Sequence, residues 1–415
     1  MDYFSYKNQK LYCEDVPVEK IAEQVGTPIW IYSQKTLLEH YRKTAEAFAP
    51  ADGLICFSIK CLSNLSILKL LAEHGSGFDV VSGGEVLRAQ LAGADMSKVV
   101  FAGVAKTDDE IRLAIDAGIG CFNVESEQEF ENISRIAREM GKKTHAALRI
   151  NPDVFDPKTH AYTTTGKKET KFGVDIDRAE KFYDTYGRDE YVSLDGIDLH
   201  IGSPIYSAEP YVAAIKKTLD LIDTLRAKGL EINTLDIGGG YAADYEEGAS
   251  PAAADYAEEI IPVVQGKGLK LILEPGRSIA CNAGILLTKV EYTKQGGEKR
   301  FLMVDAAITD LLRPALYQSE HFMYAAELPE GEPAPTMRMD YQAPGAQKVD
   351  VVGGVCETAD LLGKDRMLPP MERGDLLAVF SSGAYGMVMS SQYNSRPRAA
   401  EVLVDGDSYR VVRRR

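Results

Sequence analysis

The sequence predicts an α/β protein: a TIM-like (β/α)8 barrel with a C-terminal all-β domain, joined by the N-terminal segment. Three observations carry this. From about residue 30 to 280, short β-rich apolar runs alternate with amphipathic stretches of helical period. After about residue 285, strand-like runs continue with no long helices between them. Finally, the polar residues that interrupt the first set of runs fall at their C-terminal ends, where barrels of this kind keep their active sites.

The strand candidates of the barrel come in order as LICFSI (54–59), GFDVV (77–81), KVVFA (98–102) and IGCFNV (119–124). THAALRI (144–150), LDGIDLH (194–200), TLDIGG (234–239) and LKLILEP (269–275) complete them. Between them lie helical segments such as NLSILKLLAEHG, GGEVLRAQLAG, TDDEIRLAIDAG, SEQEFENISRIAREMG and YVAAIKKTLDLIDTLRAKG, several of them stopped by glycine. Periodicity does not show closure, so an open doubly wound sheet stays as the alternative. The connection 151–193 is longer than the rest and rich in Thr, Lys and Gly, which marks 153–173 as a loop that could close over a substrate. ILLTKVEYTK, KRFLMVDAA, QKVDVVGGVCET, DLLAVFSSGAYG and AEVLVDGDSYRVV read as strands of a β-barrel or sandwich, and YFSYKNQKLYC and TPIWIYS read as strands that join it. The expected division is 30–280 for the barrel, with 1–29 and 281–415 for the β-domain.

Composition narrows the function. The chain has 415 residues, ordinary for a globular protein of two domains, and a formal net charge of −15, which gives no support to nucleic-acid binding. The N-terminus lacks a basic region followed by an apolar one, and no apolar run approaches the roughly 18 residues that span a bilayer. The six cysteines are scattered, with neither metal-ligand spacing nor the density of a disulfide scaffold. A cytoplasmic protein with free thiols and no bound metal is expected.

The strand-end residues define a chemistry. Lys60 ends the first strand, SGGE follows the second, His200 ends the sixth, Gly238–Gly240 end the seventh, and EPGR (274–277) ends the eighth. Taken singly, each has a plainer structural explanation. A lysine at a strand edge usually snorkels to solvent, and a glycine triplet is usually a turn. Random interruptions would divide between both ends of the strands, and these do not. Together they suit pyridoxal phosphate catalysis. Lys60 would be the Schiff-base amine, its pKa lowered by partial burial. Gly238, Gly239, Gly240 and Gly276 would let backbone N–H groups approach a phosphate. Glu274 would pair with the pyridinium nitrogen, His200 would lie against the ring face, and Asp79 would hold nearby polar groups in place.

The ordered set GFDVVSGGE, FAGVAKTDDEI, FNVESEQE, RINPD, HIGS, LDIGGG, LEPGRSI, RPALY, VCETADLLGKDR, GAYG and NSRPR resembles the fold-type III pyridoxal-phosphate-dependent decarboxylases over nearly the whole chain. Within that family the resemblance is greatest to the members acting on diaminopimelate. It implies a homodimer with active sites at the subunit interface. It also implies Lys60 and Cys356 as catalytic residues, the latter a proton donor from the partner subunit. Cofactor contacts implied are Lys60, Asp79, His200, Ser203, Gly239, Gly240, Glu274, Pro275, Gly276, Arg277 and Tyr385. Substrate contacts implied are Arg277, Arg313, Tyr317, Glu357 and Tyr385.

That last set has its own logic. Diaminopimelate has one reacting and one remote amino-acid end. A remote carboxylate needs a strong anion grip, which Arg277, Arg313 and the Tyr317 hydroxyl can supply, and a remote ammonium needs a carboxylate such as Glu357. Relatives acting on ornithine or arginine have no remote carboxylate to offer such a pair. A decarboxylase for another amino acid, free or carrier-bound, and an amino-acid racemase are the enzymatic alternatives. A catalytically silent binding protein is a third, against which both Lys60 and Cys356 stand.

Overall fold

In the computed structural model, which describes residues 2–154, 170–246 and 248–415, eight parallel strands close into a barrel. They are β1 (Leu54–Ser58), β2 (Gly77–Val80), β3 (Val99–Phe101), β4 (Cys121–Val124), β5 (Thr144–Asn151), β6 (Val192–Leu199), β7 (Thr234–Asp236) and β8 (Lys270–Leu273). Neighbours in sequence are neighbours in the sheet, and Ile272 of β8 opposite Leu54 of β1 closes the ring. Closure removes the open-sheet alternative. A helix follows each strand from β1 to β7, beginning with Leu65–Glu73 and ending with Ala253–Val264.

Local signals start and stop these helices. Thr107 and Glu110 form a reciprocal capping box on helix Asp108–Ala117, and Ser126 accepts from Glu129 N to start Glu127–Met140. Gly118 and Gly141, both left-handed, end those two helices. Of the long connection expected to close over a substrate, residues 155–169 lie outside the described residues.

Strand alternation fills the barrel in layers. Cys56, Val100, Cys121, Ala147 and Ile272 pack as one buried apolar cluster. Because side chains on a strand repeat every two residues, the positions two further on point into the same interior, nearer the strand C-termini. Those positions are Ser58, Ala102, Asn123, Arg149 and Glu274, all buried. Gly77, Gly196 and Thr234 stand in the same relation to Asp79, Asp198 and Asp236, which are 0%, 1% and 1% exposed. A polar layer therefore lies directly on an apolar one.

The barrel belongs to one unit, Tyr41–Ala242 with Ser250–Arg277; the other comprises Met1–His40, Ala243–Ala249 and Ser278–Arg415. The second unit is built on the long strand Gly284–Gly296. Its first half pairs with Ile29–Ser33 and Leu376–Val379, and its second half with Lys299–Val304. Ile29–Ser33 also runs parallel to Ala400–Asp405, so the N-terminal segment is an internal strand of this β-sheet. Two strands here escape the sequence pattern. Leu361–Leu368 carries Lys364, Asp365 and Arg366 in mid-run, and Met323–Ala325 has only three residues. No described helix is long and apolar enough to cross a membrane.

One buried ion pair fixes the loops after β3 and β4. Lys106 Nζ, 1% exposed, donates to Glu129 Oε1 at 2.5 Å and to the carbonyls of Gly103 and Asn123 at 2.8 Å each. It also lies 5.4 Å from the Phe101 ring centroid. Removing one partner of such a pair strands a buried charge. Lys106→Met should therefore cost about 3–5 kcal/mol in urea unfolding, and adding Glu129→Gln should restore most of the loss.

Candidate active site

Lys60 stands not on β1 itself but on the single 3-10 turn Ile59–Cys61 that follows it. Its Nζ donates to Asp79 Oδ2 at 2.7 Å, and the same oxygen accepts from Ser58 Oγ at 2.6 Å. Asp79 thus pairs with the amine and, through Ser58, is itself held in place. Cys61 is buried beneath it: a side-chain carbon placed on Gly276 would come within 3.0 Å of the Cys61 sulfur. The turn after β1 and the segment after β8 therefore pack directly together, and Ser58 N also donates to Pro275 O.

Below the amine lies a layer of carboxylates. Asp198 and Asp236 are opposite each other on β6 and β7, and Arg149 is opposite Asp198 on β5. One oxygen from each of Asp198, Asp236 and Glu274 lies within 4.8 Å of the others. Asn123 Nδ2 donates to Glu274 Oε1 at 3.2 Å and to Asp236 Oδ2 at 3.4 Å. Asp236 Oδ1 accepts from Gly238 N at 2.9 Å. Carboxylates so close and so dry cannot all ionise. Desolvation, reinforced by the neighbouring acids, raises Glu274 and Asp198 well above the ordinary carboxyl value, and desolvation pushes Asp236 up to about 6. Glu85, above the layer, is pushed up to about 7 by burial.

The seventh strand ends in the glycine loop. Gly238 and Gly240 have φ of 69° and 104°, and side-chain carbons at Gly239 and Gly240 would strike the carbonyls of Glu274 and Gly202 at 2.3 and 2.2 Å. Only glycine fits that backbone. The loop rests on Tyr211, whose hydroxyl donates to Gly239 O at 2.8 Å and whose ring stacks on Tyr241. Ser203 Oγ lies 3.3 Å from both Nε and Nη2 of Arg277. The His200 ring packs on Gly238, and desolvation, with Arg149 and Lys60 nearby, holds it well below the ordinary histidine value, hence neutral.

These residues fit pyridoxal phosphate. Five buried carboxylates, Asp79, Asp198, Asp236, Glu274 and Glu125, share two cations, Lys60 paired with Asp79 and Arg149 paired with Glu125 at 3.3 Å, and the buried Asp198 Oδ1 and Asn123 Oδ1 have no hydrogen-bond partner. A cationic ring nitrogen is what this layer lacks. The glycine backbone with Ser203 and Arg277 offers the anion-binding groups a phosphate needs.

The remaining sequence-predicted residues lie in the β unit. Arg313, 7% exposed, begins the short helix Arg313–Tyr317, and its guanidinium carbon stands 5.5 Å from the Tyr317 ring centroid and 5.9 Å from that of Tyr385. Tyr385 has a left-handed φ of 57°, rare for an aromatic residue, and Gly386 after it leaves room for Trp30, which would stand 2.4 Å from any side-chain carbon there. Cys356 and Glu357 are exposed on loop 353–360. Buried Asp360 shapes that loop by accepting from Ile308 N at 2.7 Å and Val355 N at 2.6 Å, while Cys356 N donates to Asn394 Oδ1.

Sequence reasoning does not single out Asn123, Arg149, Asp198, Asp236, Tyr211 or Asp360. For the first four the signal exists: each lies two residues beyond a small or apolar residue of a barrel strand, on the same face.

Fold and site define a barrel-type pyridoxal-phosphate enzyme. The pyridoxal-binding domain of the pyridoxal-dependent decarboxylases matches residues 34–281. The diaminopimelate decarboxylase of Pseudomonas aeruginosa is 47% identical over 415 residues, covering 100% of this chain and 96% of that protein. The Helicobacter pylori diaminopimelate decarboxylase, solved with L-lysine, superposes with a TM-score of 0.89 at 38% identity, over 96% of each chain. The enzyme of M. jannaschii, also with L-lysine, gives 0.91 at 34% identity, over 100% of this chain and 95% of that one. The chain belongs to the diaminopimelate decarboxylase family.

The acid layer gives the cofactor-free chain a pH signature. The folded pKa of Asp236, about 6, lies above its ordinary 3.8, so this group's stabilisation is full below the lower value and is lost as pH rises through the upper. The loss is about 3 kcal/mol. Asp236→Asn keeps the acceptor for Gly238 N, and the Asn123 amide can turn its unpartnered oxygen to the new donor. Urea midpoints of this variant should fall less than those of the parent between pH 4 and 7.

Proposed function

We infer that this chain catalyses the pyridoxal-phosphate-dependent decarboxylation of meso-2,6-diaminopimelate to L-lysine and CO2, the last step of lysine biosynthesis. The observation that carries the substrate is Arg313: a buried arginine with no carboxylate partner among the described residues. Decarboxylases whose product is a diamine have no ligand group to complete it, whereas diaminopimelate brings a second carboxylate.

Lys60 would hold the cofactor, with Asp79 orienting its amine. The glycine loop, Gly276, Ser203 and Arg277 would bind the phosphate, His200 would line the place of the ring, and Glu274 with its acid neighbours would balance a cationic ring nitrogen. Bound there, the cofactor supplies the electron sink for the bond to the departing CO2. Arg313, Tyr317 and Tyr385 with Glu357 hold the remote L-centre, so that only the D-centre presents its carboxylate for loss. Cys356, from the partner subunit of a homodimer, returns a proton to the carbon that lost CO2. The six free thiols support a cytoplasmic enzyme.

The decisive assay is turnover. Cofactor-loaded protein given meso-diaminopimelate should release lysine and CO2 in equal amounts, with ornithine and arginine far poorer substrates. Inverted substrate without CO2 would mean a racemase. Lys60→Ala should lose both turnover and the near-visible absorbance of covalently held cofactor; a variant that kept them would remove Lys60 from the mechanism. Cys356→Ala should lower kcat about 10²- to 10⁴-fold, the usual range for a lost proton donor, with KM changed little. Mixing the Lys60→Ala and Cys356→Ala chains should restore part of the activity, which a single-subunit site would not.

A further inference from the structure

Arg313 is a buried cation held by rings instead of an anion. Its Nε has no hydrogen-bond partner, and its Nη2 makes only a long contact, 3.3 Å, to Ser319 Oγ. Besides Tyr317 and Tyr385, a third ring faces it: Tyr245, whose centroid lies 5.9 Å from the guanidinium carbon. Tyr245 lies in the segment Ala243–Ala249, which packs with the β unit although the chain on both sides of it belongs to the barrel unit. That segment is fastened on each side of the tyrosine. Asp244 O accepts from Asn282 Nδ2 at 2.5 Å and from Ser381 Oγ at 2.8 Å, and Glu246 Oε1 accepts from Met339 N at 3.4 Å. Tyr245 also meets the fully buried His321 ring edge-on, 5.6 Å between centroids.

A carboxylate neighbour would stabilise the guanidinium but would occupy the fork that a ligand carboxylate needs. Aromatic faces stabilise the cation through their quadrupoles and leave its N–H edge open. We propose that Tyr245 is a specificity-determining positioning residue, completing with Tyr317 and Tyr385 an aromatic cage that keeps the Arg313 guanidinium in place, dry and open-forked for the remote carboxylate of the substrate. This rests on the reading of Arg313 given above.

The test separates the two. L-Lysine keeps the remote carboxylate and cadaverine lacks it, and binding of either to the holoenzyme can be followed by titrating the cofactor absorbance. Tyr245→Leu should weaken L-lysine by about 3- to 10-fold, the scale of one lost cation–π contact, and leave cadaverine within about twofold; Tyr245→Phe should resemble the parent. Equal weakening of both ligands, or of neither, overturns the proposal. Arg313→Met is the control. If it leaves the lysine-to-cadaverine ratio unchanged, the reading of Arg313 fails; if it collapses the ratio and Tyr245→Leu does not, only the role of Tyr245 fails. Should the leucine variant not fold, phenylalanines carrying successive fluorines at 245 keep the ring's shape while draining its face. L-Lysine affinity should then fall with each fluorine, and a flat series overturns the cage.

Discussion

The constraint on which the barrel's chemistry depends is electrostatic. Closing eight short strands places Asp79, Asp198, Asp236 and Glu274 inside one dry ring, where Lys60 pairs with Asp79 while Arg149, beside Asp198, pairs with Glu125. Nothing about barrel stability requires this; apolar side chains fill such interiors in layers. The lower layer here does so, with Cys56, Val100, Cys121, Ala147 and Ile272. The acids occur only in the upper layer, on the side of Lys60 and the glycine loop. Their mutual repulsion raises their affinity for protons, and equally for a cationic ring brought among them.

Around Arg313, in the β unit, the imbalance is the opposite. Arg313 is buried with aromatic faces around it and no acid to neutralise it. The barrel site thus carries buried negative charge in excess, and the Arg313 cage an uncompensated positive one. A cofactor with a cationic ring and a substrate with a spare carboxylate are the complementary pair. The same reasoning separates this chain from decarboxylases of simple diamino acids, for which a buried arginine would stay a desolvated charge without return.

Much of this was legible in the sequence, for a definable reason. Lys60, His200, Gly238–Gly240 and Glu274 stand at or just beyond strand ends, where a polar residue breaks an apolar run and is noticed. Asn123, Arg149, Asp198 and Asp236 stand within strands, where a polar residue every second position looks like ordinary alternation between core and solvent. Only closure turns that second face into an interior. Tyr245 was illegible for a different reason: its segment sits in sequence between barrel elements, and its packing with the β unit is a long-range fact. Asp360, which shapes the Cys356 loop through two backbone N–H groups, carries no pattern of its own.

Unsatisfied groups give the last argument. A buried polar atom without a partner costs about 1–3 kcal/mol, so folded chains retain few of them. Here Asn123 Oδ1, Asp198 Oδ1 and Arg149 Nε lie in or beside the acid layer, and Arg313 Nε lies in the aromatic cage. Tyr385, one wall of that cage, is further held in a left-handed backbone conformation that a tyrosine adopts only at a cost. Asp79 Oδ1 and Asp198 Oδ1 are acceptors within an acid surplus, and Arg313 Nε is a donor in a cage without an anion. A cationic ring in the barrel and a carboxylate beside Arg313 would each relieve a cost that the folded chain already carries, so binding energy is available at both places.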